Sequence, residues 1–193
     1  MAHETRRLLQ AATALHTLLQ AADIPHAFYG GFVVSLLASS PRCNDISCIV
    51  DGGSTHPFRQ VRQVCSTSEE ISTKASPWTN RLYVTYTQLI PAVDIEILPA
   101  GEAGPRRLDR ATVMTLAGIP VLTYSELIRA KLKSWSIRQD ALDAEDIIYV
   151  MTRYWDRIDI NRVPEQDMKD FARLNPAVAP AWLELRRKYG LAS

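Results

Sequence analysis

Gly30-Gly31 closes the short aromatic run His26-Ala-Phe-Tyr29, and after thirteen intervening residues Asp45-Ile-Ser47 opens the apolar run Cys48-Ile-Val50. Paired glycines allow a turn that other residues resist, and they let other groups approach the backbone closely. Between the two runs, Phe32 to Ala38 reads as a compact apolar helix closed by Ser39-Ser40-Pro41. A strand, a tight turn, a short helix and a carboxylate-led strand in so few residues demand a layered α/β arrangement.

The remaining chain extends that pattern. Thr5 to Ala22 carries apolar residues at 8, 12, 15, 19 and 22, the spacing of an amphipathic helix. Asp23-Ile-Pro25 ends it, because proline disfavours helical geometry in the residue before it. Thr55 and Pro57 mark a further helix start, with Phe58, Val61 and Cys65 as its inner face. Arg81 to Gln88 and Ala92 to Leu98 alternate apolar and polar residues and read as a hairpin through Leu89-Ile90-Pro91. Pro99 to Arg110 is a Gly/Pro-punctuated loop, and residues 111–122 hold one more strand. Thr123-x-x-Glu126 is a capping-box pattern opening a helix to about Trp135. A second helix spans about Asp140 to Tyr154, and residues 165–189 hold two short helical patterns broken by Pro176 and Pro180. The expectation is an α+β fold: a core over 1–122 with a mixed β-sheet, and a helical C-terminal region over 123–193 packed on it.

Length and composition bound the function. A 193-residue chain with 47% hydrophobic and 22% charged residues is long enough to bury a sizeable core. A net charge of +1 gives no electrostatic footprint for duplex nucleic acid. Cys43, Cys48 and Cys65 form no CxxC pair and read as free thiols in a reducing compartment. The N-terminus lacks a secretory signal pattern, and no segment approaches the roughly 20 apolar residues of a membrane span. The expected location is cytoplasmic, while oligomeric state is not readable from sequence.

The Gly30-Gly31 turn, the short helix and the Asp45-led strand together resemble the signature of the nucleotidyltransferase superfamily, the DNA polymerase β-like fold. That family reads Gly-[Gly/Ser], a helix, then Asp-x-Asp; here Ser47 stands at the second acid. Asp94, in Val93-Asp94-Ile95, matches the family's third acid, and Glu96 projects on the same face. Just upstream the match is partial: Arg42 lies one residue closer to the first acid than in the family, and Cys43 holds its threonine position.

The second half adds Leu127-Ile-Arg-Ala-Lys131-Leu, then Arg138, Asp143 and Asp146. This order is similar to that of small antibiotic-modifying and abortive-infection-type nucleotidyltransferases. Lys131 lies on or beside an apolar helix face, where an ammonium needs an anion or must snorkel to water. Asp143 and Asp146 fall in the first turns of a helix, which the macrodipole favours without any function. A salt bridge from Arg138 to one of them is the expected structural use.

The resemblance implies transfer of a nucleoside monophosphate from an NTP to a small-molecule or protein hydroxyl, with Mg²⁺ as cofactor. Asp45, Asp94 and Glu96 would then be catalytic, with Asp45 and Asp94 as metal ligands. Gly30, Gly31, Ser47 and Lys131 would bind the nucleotide, the glycines through backbone N–H groups at the phosphates. Because a serine is a poor substitute for a carboxylate toward Mg²⁺, Ser47 keeps an alternative open. That alternative is a degenerate member with metal-independent acid–base chemistry, or a binding or regulatory protein using aromatics such as Trp78, Trp155 and Trp182. His3, His16, His26 and His56 show no metal-ligand spacing, and His26 reads as a packed or exposed residue.

Overall fold

The structure is a computed structural model that describes residues 3–40, 45–74, 81–102 and 104–191. Arg42, Cys43 and Trp78, singled out above, lie outside the described residues. The chain divides into two compact units, Met1–Leu122 and Thr123–Ser193.

The first unit runs α1 (His3–Ala21), β1 (His26–Tyr29), α2 (Gly31–Ala38), β2 (Ile46–Val50) and α3 (Pro57–Cys65). It continues with β3 (Ile71–Lys74), β4 (Leu82–Tyr86), β5 (Val93–Pro99), β6 (Val113–Leu116) and β7 (Ile119–Leu122). Among the described residues, the seven strands form one sheet in the order β3-β4-β5-β2-β1-β7-β6. The β2–β5 and β1–β7 pairs are parallel and the others antiparallel, so the sheet is mixed as expected.

Alternation along the strands separates the two faces. Phe28, Ile46, Cys48, Leu82, Val84, Ile95 and Ile97 are buried, and α1 and α3 pack against the sheet. The helices contribute Leu8, Leu15, Leu19, Phe58 and Val61 to the same core. Each such aliphatic or aromatic side chain contributes about 1.5–3 kcal/mol on full burial. On the opposite face Ala27, Ile49 and Leu122 form a small cluster with Tyr29, Ala100, Leu108 and Val113. A Cβ at Gly104 would stand 2.4 Å from Ile49 Cδ1, so the loop after β5 lies directly on this cluster.

Three local expectations need correction. Residues 71–74 form an additional strand: with Ile71 as its only apolar residue, Ile-Ser-Thr-Lys shows no alternation, and its identity comes from pairing with β4. Residues 111–122 hold two strands, because Ala117 and Gly118 both adopt positive φ (50° and 83°) and turn the chain back as a hairpin. The capping box at Thr123 does not close. Thr123 makes no side-chain cap bond, and Glu126 instead accepts from Arg162 Nη1 at 2.8 Å.

The second unit is helical: α4 (Tyr124–Arg138), α5 (Ala141–Tyr154), α6 (Glu165–Leu174) and α7 (Ala179–Lys188). Gln139 in the left-handed region (φ 51°) ends α4, and Asp140 caps α5 by accepting from Leu142 N–H at 2.7 Å. Leu127, Leu132, Ile147, Met151, Phe171 and Leu185 fill the core, with Trp135 edge-on to Phe171 at 4.8 Å. Trp182 is buried there and Trp155 is half-buried. Among the described residues, no helix is long and apolar enough to cross a membrane.

Candidate functional site

The register of the sheet brings most of the singled-out residues to one place. Tyr29 on β1 pairs with Ser47 on β2, and Ser47 pairs with Glu96 on β5. Glu96 in turn pairs with Tyr83 on β4, and Tyr83 with Lys74 on β3. Paired residues of neighbouring strands project to the same face, so these five side chains form a row across the sheet. One step toward the strand starts, Ile46 pairs with Ile95. One residue earlier stand Asp94 on β5 and Asp45 just ahead of β2. Alternation returns Asp94 to the face of Glu96 and of its partner Ser47. Two carboxylates of β5 thus share a face with the Ser47 hydroxyl, and Asp45 and Asp94 line one cleft.

The glycine turn borders this group. Gly30 follows Tyr29 directly and adopts φ 82°, ψ −159°, a conformation open essentially to glycine alone. No side chain caps α2, and the first N–H groups of a helix have no carbonyl one turn earlier to bond, so the positive end of its dipole suits an anion. Gly30's carbonyl accepts from Val33 N–H at 3.1 Å, which starts the helix. Ser35 is fully buried, and its hydroxyl donates to Gly31 O at 2.9 Å, the role of a packed helix residue.

The acids already have partners, some of them invisible to sequence reasoning. Asp94 accepts from Lys74 Nζ and from Thr85 Oγ1, each at 2.6 Å. Burial pushes its carboxyl up, but these hydrogen bonds and the Lys74 charge outweigh that and hold it below the usual range. Glu96 accepts from the Tyr83 hydroxyl at 3.2 Å and lies 3.7 Å from Arg81 Nη1. Lys74, Arg81, Tyr83 and Thr85 thus belong to the site. Tyr83 and Thr85 stood in an alternating run and were legible as one face of a strand, whereas nothing in the sequence pointed to Lys74. Asp45 and Asp94 also line an open cleft of about 590 Å³ with Glu4, Arg7, Leu8, Pro91, Ala92 and Val93. Arg7 donates there to Pro91 O at 2.6 Å and to Glu4 at 2.7 Å.

Lys131 belongs to a separate cluster inside the helical unit. Its ammonium lies 2.7 Å from Asp143 Oδ1 and 2.8 Å from Asp146 Oδ2. Ser134 Oγ donates to Asp143 Oδ2 at 2.7 Å, and Arg138 reaches the same oxygen at 3.0 Å, the salt bridge expected from the sequence. Burial would lower the Lys131 pKa, but the two carboxylates outweigh it and the pKa is raised. Burial likewise opposes Asp143 ionisation, and Lys131, Ser134 and Arg138 override it. Both aspartates are buried, so they are interhelical ion-pair partners and more than first-turn acids.

His16 and His26 pair with each other. His26 is buried, with Nδ1 2.7 Å from Ile24 O and Nε2 2.9 Å from His16 Nδ1, which assigns the shared proton to His16. Burial pushes the His26 pKa down to about 4. Among the described residues, no three His, Cys, Asp or Glu side chains converge as metal ligands in their present rotamers. The donor set itself, three carboxylates and a hydroxyl on adjacent strands, is the hard oxygen chemistry that suits Mg²⁺ or Mn²⁺.

No protein-family model and no curated protein sequence matches the chain. Solved structures do. An antigenic nucleotidyltransferase-like protein from Paracoccidioides brasiliensis aligns over 91% of this chain and 92% of its own, with TM-score 0.68 and 15% identity. JHP933 from Helicobacter pylori aligns over 95% and 80%, with TM-score 0.58 and 14% identity. ANT(2'')-Ia in complex with adenylyl-2''-tobramycin aligns over 89% and 99%, with TM-score 0.56 and 11% identity. The fold is nucleotidyltransferase-like, with a mixed seven-stranded sheet and a helical C-terminal part.

Proposed function

We propose that this protein is a nucleotidyltransferase that moves a nucleoside monophosphate from an NTP to the hydroxyl of a small molecule or protein. The observation that carries this reading is the Ser47–Glu96 pair. Through it, the neighbouring strand supplies a carboxylate beside the position where the Asp-x-Asp pattern has lost one. Asp45, Asp94 and Glu96 are the residues that would hold a divalent cation. When bound, that ion neutralises charge on the triphosphate and aligns it for in-line displacement.

The chain's own residues account for the rest. Gly30 and Gly31 set the first backbone N–H groups of α2 where they would take phosphate oxygens, beside β2 and the Asp45 that precedes it. A carboxylate of this group accepts the proton of the attacking hydroxyl as its oxygen bonds to the α-phosphorus and the bond to the leaving pyrophosphate breaks. Ser47 donates or accepts a hydrogen bond within the group and adds no charge. Catalysis then rests on positioning and charge neutralisation. The adenylylated antibiotic held by ANT(2'')-Ia supports a small-molecule hydroxyl as the acceptor. A phosphate role for Lys131 requires the ammonium to exchange Asp143 or Asp146 for the nucleotide.

A second reading is favoured by one observation: Lys74 and Arg81 already neutralise Asp94 and Glu96. In it the cleft binds its ligand without metal and no nucleotide is turned over. Calorimetric titration with ATP, in Mn²⁺ and again in EDTA, separates the two. Saturable binding that requires Mn²⁺ supports nucleotidyl transfer, and metal-indifferent binding of another ligand supports the alternative.

A further inference from the structure

The Lys74–Asp94 contact is an unusual use of an edge strand. Lys74 is the last residue of β3, and its register partner is Tyr83 on β4. To meet Asp94 Oδ2 at 2.6 Å, its side chain must reach across β4 to the next strand, two inter-strand spacings of roughly 5 Å each. It bypasses Glu96, which lies in its own row. Asp94's other oxygen is taken by Thr85 at 2.6 Å. Arg81 makes the looser counterpart at Glu96, 3.7 Å away.

We propose that Lys74 is a tethered cation that competes with the divalent metal for Asp94 and must leave before the site can fill. This rests on the metal-dependent reading above and adds its regulation. An ammonium at hydrogen-bond distance from a carboxylate oxygen and a divalent ion at the same oxygen repel strongly at such short range. The Lys74 side chain is 58% exposed, so the pair is held weakly enough to be displaced and the ammonium has water to move into. Asp94 is thereby kept ionised and oriented until the cation arrives.

Mn²⁺ titration followed by electron spin resonance of the free ion reads this directly. Lys74→Gln and Lys74→Met bind Mn²⁺ about threefold to tenfold more tightly than the native protein, while Lys74→Arg stays near native. Added KCl narrows the difference, since the competing pair is exposed. Equal affinity in native protein, Lys74→Gln and Lys74→Met overturns the gate and leaves the metal site standing. Absence of Mn²⁺ binding in all of them, and in Ser47→Asp, overturns the metal reading and the gate together.

Discussion

Ser47 on β2 and Glu96 on β5 are register partners in a parallel pair, with Asp94 two residues before Glu96 on the same face of β5. A neutral residue in one strand is thus set beside an acid in the next. In the proposed site, the carboxylate that Ser47 does not supply comes from the next strand.

Glu96→Gln therefore weakens Mn²⁺ binding by at least about tenfold, a change of the size expected when a ligand or its support is lost. Tyr83→Phe, which removes the hydrogen bonds of the Tyr83 hydroxyl to Glu96 and Arg81 and leaves the carboxylate in place, changes it less. Equal effects of the two variants would assign Glu96 to the Tyr83–Arg81 network alone.

Ser47→Asp restores the second acid of the pattern and raises nucleotidyl transfer, measured with a radiolabelled NTP. The added carboxylate would sit among Asp45, Asp94 and Glu96 and repel them in the absence of metal. Thermal stability of this variant is then lower in EDTA than in Mn²⁺, by a larger margin than in the native protein.

Gly30→Ala costs about 1–3 kcal/mol from backbone strain alone, because φ 82° with ψ −159° suits only glycine while nothing crowds the new Cβ. Urea unfolding measures the cost. If the turn serves phosphate, nucleotide affinity falls further than the stability loss accounts for.

Little of the site's lateral geometry was legible in the sequence, while most of its local geometry was. β1 and β2 occupy the residues expected from the aromatic run and the carboxylate-led run. The inner face of α3 is Phe58, Val61 and Cys65 as its period required. Those features depend on neighbours in the chain. The Ser47–Glu96 and Lys74–Asp94 relations join residues far apart in sequence through strand order, which no local period encodes. The Thr123 capping box failed for a related reason: Glu126, expected to reach back, is buried against Arg162 instead.

The Lys131 cluster makes acid and alkaline stability predictable. Asp143 has a folded pKa below its unfolded value, so its contribution is present above pH ~4 and is lost as pH falls through the folded value. Lys131 has a raised folded pKa, so its contribution holds below pH ~10 and is lost as pH rises through that value. Lys131→Met takes the ammonium away from two buried carboxylates. It destabilises the helical unit by about 3 kcal/mol, at the low end for breaking a buried pair. Chemical denaturation between pH 3 and 7 checks both sign and size. A native-like unfolding midpoint in Lys131→Met would show that the pair adds nothing.

Calorimetric titration of ATP into native protein and into an Asp45→Asn/Glu96→Gln variant, each with Mn²⁺ and with EDTA, bears most directly on the carboxylate group around Ser47. Saturable heat in the native protein with Mn²⁺, absent in EDTA and absent in the variant, is the predicted result. Binding of equal strength in EDTA, or in the variant, would contradict a nucleotide site built on these acids.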